Sequence, residues 1–406
     1  MIPRRVFLRD GCLAALGLSV VPGFLHRAAA AVPQARQNKT LVVIFLRGAA
    51  DGLNIVVPFG ESAYYVHRPT IAVPKPGKDE NAALDLDGFF GFHPTLRPLL
   101  PLYKDARLAI VNAVGSPDTG GRSHFQAQDL MESGAPGSKD IATGWLNRYL
   151  SGAPDAAASS FRATAVASAI PKALLGPAPV LALQDLSKFE IGGGAIYEQL
   201  YTQGANTAFS GTAREMFDSI KRLKTLRLED YRPAAGVNYG PREFGAAMTQ
   251  VAQLIKAEVG LQVACVDFRG GWDTHSDETG RLPGLLRDLA QGLDAFNRDL
   301  GDRMKDVVVL TMSEFGRTAR ENGSGGSDHG HANFMFAMGG PVRGGKIYGK
   351  WPGLEKEQLN EDRDLALTTD YRDVLAEVLV KHLGCEKLET VFPRYSIDSS
   401  KALGII

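Results

Sequence analysis

The sequence predicts an α/β fold with a mostly parallel central sheet and helices on both faces. Three observations carry that expectation. Apolar runs within 41–46, 108–114, 260–268 and 307–310 are continuous rather than alternating, as buried parallel strands are. Between them lie stretches with apolar residues at helical spacing, such as Phe244, Met248, Val251 and Ile255, or Leu286, Leu289, Leu293 and Phe296. Each run also ends in small and polar residues, and ligands of open α/β sheets bind at strand carboxyl ends.

The first run, Leu41 to Leu46, gives way to Arg47-Gly48-Ala49-Ala50-Asp51-Gly52. Asp51 either serves a ligand there or caps the following turn. A loop rich in proline (Pro69, Pro74, Pro76) leads to His93-Pro94 and an amphipathic stretch, Thr95 to Tyr103, expected to be helical. Strand 108–114 then ends in a turn reaching Gly120-Gly121-Arg122-Ser123-His124. The residues beyond read as a helix closed by Gly134. Ser123 thus falls at a helix N-terminus, where orphan N–H groups favour an anion. It is either the N-cap or a nucleophile, with Arg122 and a metal steadying the charge.

Residues 151–240 are less regular and read as a cap or insertion, with a charged surface helix at 213–228. The third run ends in Gly271-Trp272-Asp273-Thr274-His275, and an Asp-x-His pair puts carboxylate and imidazole within reach of one ion. The alternative is that Asp273 caps the helix expected over 282–300. Residues 306–340 read as strand, polar loop, strand, with Ser313, Glu314, Arg317, Asp328, His329 and His331 in the loop. A last helix, 371–383, is capped by Thr368-Thr369-Asp370, and its His382 is expected at the surface or on the C-terminal dipole.

Four strand ends bearing such chemistry would share one edge of a doubly wound sheet. The expected metal ligands are Asp51, Asp273, His275, Glu314, Asp328, His329 and His331, with Ser123, Arg122 and His124 as the catalytic group. Carboxylates and imidazoles without cysteine suit one or two divalent ions, zinc or manganese. Two such ions would clamp an in-line displacement at phosphorus or sulfur.

The amino terminus points to export. Arg4-Arg5-Val6-Phe7-Leu8 fits a twin-arginine signal, followed by an apolar stretch to Leu25 and small residues to Ala31. That stretch falls short of the roughly 20 residues a permanent membrane span needs. The expectation is a cleaved signal at 1–31, the twin-arginine translocase as partner in export, and a single domain over 32–406 in the periplasm or beyond. After residue 31 the chain holds 41 basic and 44 acidic side chains, a balance that does not favour nucleic acid. Cys265 and Cys385, the two cysteines left, are expected to be independent thiols, although the periplasm would let them pair.

The blocks FLRGAADGLN, GRSHFQAQDLMESG, GWDTH, SEFGRTAREN and SDHGHANFMFAMGG resemble an exported bacterial family called domain of unknown function 1501, along nearly the whole chain. That family looks related to the alkaline phosphatase and sulfatase superfamily, which implies an alkaline-phosphatase-like sandwich and a metal-supported nucleophile. By that resemblance Asp51 is the first-strand metal acid, Ser123 the nucleophile, Asp273 and His275 an acid–histidine pair, and His329 a late ligand. Glu314 stands where the superfamily has an acid followed by histidine, but Phe315 follows it here, leaving His331 or His124 to replace the imidazole. The Asp273-x-His275 spacing is shorter than the superfamily's usual pair. The Ser123 stretch also lacks the sulfatase pattern, so no formylglycine is expected. The implied function is hydrolysis of phosphate or sulfate esters. The alternative is a non-catalytic binding or assembly protein for a small anion or an extracellular polymer. A metal-free serine hydrolase is disfavoured by the lack of a G-x-S-x-G elbow.

Overall fold

Strand β1 (Thr40–Leu46) is buried along its whole length, and its side chains alternate between two cores. Val42, Ile44 and Leu46 enter one core, Leu41, Val43 and Phe45 the other, as the period of a pleated strand requires. A strand with no solvated face needs cover on both sides. Helices α3 (Glu243–Lys256) and α4 (Glu278–Leu300) supply it on the first face. On the second, α2 (Trp145–Gly152) and α5 (Tyr371–Lys381) do so, while α1 (His124–Ser133) adds Met131. The computed structural model describes residues 39–153, 161–184, 230–396, 398 and 401–406. The expected signal segment and the charged helix at 213–228 lie outside the described residues.

The other strands of the central sheet are β2 (Leu108–Gly115), β3 (Ala163–Val166), β4 (Leu181–Ala182), β5 (Val263–Phe268), β6 (Val307–Met312), β7 (Asn333–Gly339), β8 (Ile347–Tyr348) and β9 (Thr369–Asp370). Their order is β8-β2-β7-β6-β1-β5-β3-β4, with β9 also paired to β2. Among the described residues β7 alone runs against the rest, antiparallel to both β2 and β6. The protein is therefore α/β with a large, mixed, mostly parallel sheet. Two strands from the irregular 151–240 stretch, β3 and β4, form one edge of it.

The reversed strand matters for the site. Parallel strands β1, β2, β5 and β6 deliver their carboxyl ends to one edge, and an antiparallel strand begins there. The segment just before β7 therefore joins the loops that follow the other four. A hairpin, Arg317–Glu321 paired with Ser327–His329, fills the stretch read from sequence as a plain polar loop. Asn333 pins the hairpin's exit, donating through Nδ2 to the carbonyls of Ala50 (2.9 Å) and Phe315 (3.0 Å). A Cβ on Gly330 would lie 2.4 Å from the Arg317 carbonyl, so only glycine allows the hairpin to close so tightly.

Two local expectations are corrected. The 95–103 stretch is a 3-10 turn, Pro94–Leu99, followed by a short helix, Leu100–Lys104; Pro98 and Pro101 remove the N–H groups a continuous helix would use. His382 is not at the surface. It is buried, with Nε2 3.0 Å from the Thr40 carbonyl, because α5 packs under the start of β1. Both Cys265 and Cys385 are free thiols. No helix among the described residues is long and apolar enough to cross a membrane.

Candidate metal centre

His124, Asp273 and His329 come from three different loops of that edge and form a candidate metal-binding triad, their ligand atoms all within 4.8 Å of one another. His124 opens α1 after β2, Asp273 follows β5, and His329 ends the hairpin before β7. The Asp273 carboxylate is the common neighbour. Its Oδ2 lies 3.4 Å from His124 Nε2, and its Oδ1 lies 3.3 Å from His329 Nε2 and 3.1 Å from His275 Nε2. His275 Nε2 is also 2.9 Å from His329 Nε2.

The far side of each ring decides what these nitrogens are. His124 Nδ1 faces Glu314 Oε1 at 2.8 Å, and His275 Nδ1 faces Asp328 Oδ1 at 3.0 Å. His329 Nδ1 faces the Arg122 carbonyl at 2.8 Å. All three partners are acceptors, so each Nδ1 carries the proton and donates. A ring that binds a cation is neutral, and with Nδ1 protonated its lone pair sits on Nε2; the three Nε2 atoms are gathered around Asp273. Orienting a histidine through its other nitrogen is how metal sites fix tautomer and ring direction.

The spacing agrees. A tetrahedral ion with ligand bonds of about 2.0–2.1 Å has neighbouring ligand atoms about 3.3 Å apart. Four contacts here, made through both Asp273 oxygens, run from 2.9 to 3.4 Å, and the ligand atoms of the triad all lie within 4.8 Å of one another. His124 Nε2 is also a buried polar atom whose one near neighbour, Asp273 Oδ2 at 3.4 Å, is too poorly aligned for a hydrogen bond, a contact that a cation between the two would satisfy. The residues thus fit a single divalent ion bound by His124, Asp273 and His329, with His275 beside them. Two imidazoles and a carboxylate are donors that a divalent ion accepts.

Charge points the same way. Hydrogen bonding to Asp273 and Glu314 pushes the His124 imidazole up to about 9. Surroundings that favour a proton on that ring favour a cation in its place. Burial alone would raise the Asp273 carboxyl, but bonds from His124, His329 and Arg317 outweigh it and hold the group far below the usual carboxylate range. Arg317 is completely buried and reaches Asp273 Oδ1 at 2.5 Å. Burial likewise opposes the ionised form of Glu314, and donors from His124 and Gln128 win, lowering its pKa. Beneath the cluster lies Phe315, its ring centroid 5.1 Å from that of His124 and 5.0 Å from that of His329. The aromatic ring keeps water from the underside of the histidines.

The remaining expected residues fall around this centre. Glu314 is an orienting group: Oε1 accepts from the Gly48 N–H (2.9 Å), Gln128 Nε2 (2.7 Å) and His124, and Ser313 Oγ donates to Oε2 (3.2 Å). Asp328 is likewise tied to His275 and to Asn322 Nδ2, 3.0 Å away. Asp51 is fully buried in an ion pair with Arg68 (2.7 Å) and accepts from the Leu53 N–H (3.1 Å), so it stands apart from the triad. His331 Nε2 reaches the Ser116 carbonyl at 2.9 Å. The Arg122 guanidinium is engaged by Asp364 (2.7 Å) and Glu361 (2.5 Å) rather than turned toward an anion. Ser123 occupies the N-cap position of α1, yet its side chain makes no capping bond.

Two residues with no role assigned from sequence help to hold the site, Arg317 on Asp273 and Gln128 on Glu314, and a third, Arg68, pairs with Asp51 outside it. Gln128 carried a readable signal, since it lies four residues after His124 and shares a helix face with it.

The profile of the family described as Protein of unknown function (DUF1501) matches residues 112–390. The chain belongs to that family. The matched span of this DUF1501 protein includes His124, Asp273, His275, Glu314 and His329, and β1 with Asp51 precedes it. Comparison with curated proteins and with solved structures gives no match.

Proposed function

We propose that this DUF1501 protein is an exported metal-dependent hydrolase of phosphate or sulfate esters. One observation carries the reading: three histidines, each with Nδ1 committed to an acceptor, turn their Nε2 atoms toward one carboxylate. A bound divalent ion supplies Lewis acidity, making a nearby hydroxyl or water a better nucleophile and screening an anionic ester. The chain's own residues do the positioning. Glu314 and Gln128 fix His124, Asp328 fixes His275, and Phe315 closes the site from below. Ser123 is the candidate nucleophile, because it adjoins His124 and its hydroxyl is not spent on capping the helix. The N–H groups of the first turn of α1 can hold an anion beside it. The imidazole-rich donor set favours zinc over manganese, and the one ligand group found among the described residues favours one ion.

The test is turnover of p-nitrophenyl phosphate and p-nitrophenyl sulfate by zinc- and manganese-loaded protein. Ser123→Ala is expected to lower turnover at least about a thousandfold, in line with loss of a nucleophile, while metal content stays the same. Undiminished turnover in that variant would assign the attack to water and leave the metal reading intact. A second reading, an exported binding or assembly protein without turnover, is favoured by the engagement of Arg122 with Asp364 and Glu361. No hydrolysis of any phosphate or sulfate ester by metal-loaded protein would establish it.

Export itself rests on Arg4 and Arg5 in the 1–31 segment, the pair read by the twin-arginine translocase. Replacing both with lysine is expected to leave the protein in the cytoplasmic fraction. Unchanged appearance in the periplasm would refute that route.

A further inference from the structure

A cavity of about 590 Å³ lies between the first three turns of α4, the 71–81 segment and the turn from His93 to Arg97, and none of the clustered histidines lines it. Small-molecule sites typically run from about 300 to 1,000 Å³. Its floor is polar but saturated. Asn54 donates to the Ile71 carbonyl (3.0 Å) and to Glu278 (2.7 Å), and accepts from Tyr64 Oη (2.6 Å).

The groups with spare valence stand on the wall and at the mouth. His93 Nδ1 accepts the Thr95 N–H at 3.2 Å, and burial holds the ring's pKa down to about 4. The ring is therefore neutral, its proton is on Nε2, and Nε2–H remains as a donor. Pro283 has no N–H, so the Thr279 carbonyl one turn earlier loses its helical partner and stays an acceptor. At the mouth Arg97 and Arg287 are exposed, and neither forms a salt bridge among the described residues. Glu80 is the one acidic side chain of the lining with them, since Glu278 lies buried at the floor, and Asp288 beside Arg287 is paired with Arg242. Ile71, Val73 and Leu282 make a buried apolar wall.

We propose that this cavity binds a small organic monoanion, a carboxylate on an apolar body. The carboxylate lies at Arg97 and Arg287, and the body packs against Ile71, Val73 and Leu282. Two arginines partly offset by Glu80 leave about one net positive charge, which matches a monoanion better than a dianion and repels a divalent cation. The site needs no metal, so it stands or falls separately from the histidine centre.

Calorimetric titration of the full chain with benzoate, in EDTA, tests it, with benzyl alcohol as the uncharged probe of similar shape. Saturable one-site binding of benzoate is expected, about tenfold weaker for benzyl alcohol and about tenfold weaker in the double variant Arg97→Ala/Arg287→Ala. Both arginines are exposed, and an unchanged melting temperature verifies that the variant folds. Leu282→Trp, which fills the cavity, is expected to abolish binding. Benzoate binding that does not saturate, that benzyl alcohol equals, or that survives the double arginine variant would overturn the proposal.

Discussion

His124→Ala is expected to purify without stoichiometric divalent metal, while the unaltered protein, dialysed against zinc and freed of loose ions, retains one ion per chain. The ring supplies a buried Nε2 atom, and on its loss Glu314 gives up one donor but keeps those from Gly48, Gln128 and Ser313. Affinity measured by chelator competition should fall more than about a hundredfold, beyond the roughly 10- to 100-fold typical of losing an orienting partner. Glu314→Gln belongs to that second class. It keeps the shape and one acceptor oxygen for His124 Nδ1 but loses the charge, so a drop of about 10- to 100-fold is expected. Asp273→Asn should also release the metal, but it carries a second cost. Arg317 is completely buried against Asp273 and would lose its counter-charge. The melting temperature therefore separates the variants: little change for His124→Ala, a clear fall for Asp273→Asn. An unaltered protein that takes up no zinc or manganese, or a His124→Ala variant that holds it as tightly, would remove the metal centre and the hydrolase reading with it.

The contrast between these residues shows what the sequence could and could not disclose. The central strands were legible because a strand buried on both faces must be apolar at every position, as Leu41 to Leu46 is. The convergence of strand ends was legible for the same reason: parallel strands share an edge. The direction of β7 was not, because an apolar run such as Phe334 to Met338 reads the same in either sense. Nor was the hairpin at 317–329. Its strands are short, polar and paired to each other, so they lack the apolar alternation that announces a strand. Among the site residues, Asp273 and His329 could be named, and so could His275. Sequence could not separate ligands from the groups that aim them, since both are carboxylates and imidazoles. Only the Nδ1 contacts make Glu314 an orienting acid and His124 a nitrogen donor. Asp51 shows the same limit, for its fully buried guanidinium partner lies in the loop at Arg68.

Arg68→Met is expected to be among the most destabilising single changes in the chain, although it lies outside the metal centre. Arg68 and Asp51 are both fully buried, and Arg68 also donates to the carbonyls of Ala319 (3.0 Å) and Thr318 (2.8 Å), tying the hairpin to the end of β1. Removing one partner of a buried pair costs about 3–5 kcal/mol, because the other charge stays buried and unpaired. The rest of the cluster worsens the loss. Ser327 Oγ lies 3.0 Å from Asp51 Oδ2 and 3.1 Å from Glu278 Oε2, and one hydroxyl proton cannot serve both acids. Burial, reinforced by Asp51, raises the Glu278 pKa, so this carboxyl keeps its proton and donates to Ser327. A carboxyl raised in the folded state makes the native protein bind the extra proton, so its contribution to stability falls as pH rises from about 4.3, the ordinary glutamate value, through the higher folded value. Glu278→Gln should flatten that fall. Asp51 has the opposite sign: burial would raise it, but Arg68 outweighs burial and lowers it, so its contribution is present at neutral pH and lost on acidification. Denaturant melts across the pH range read all of this. Arg68→Met combined with Asp51→Asn should recover part of the loss by removing the stranded charge. A single Arg68→Met variant within about 1 kcal/mol of the unaltered protein would show that the pair does not hold the hairpin in place.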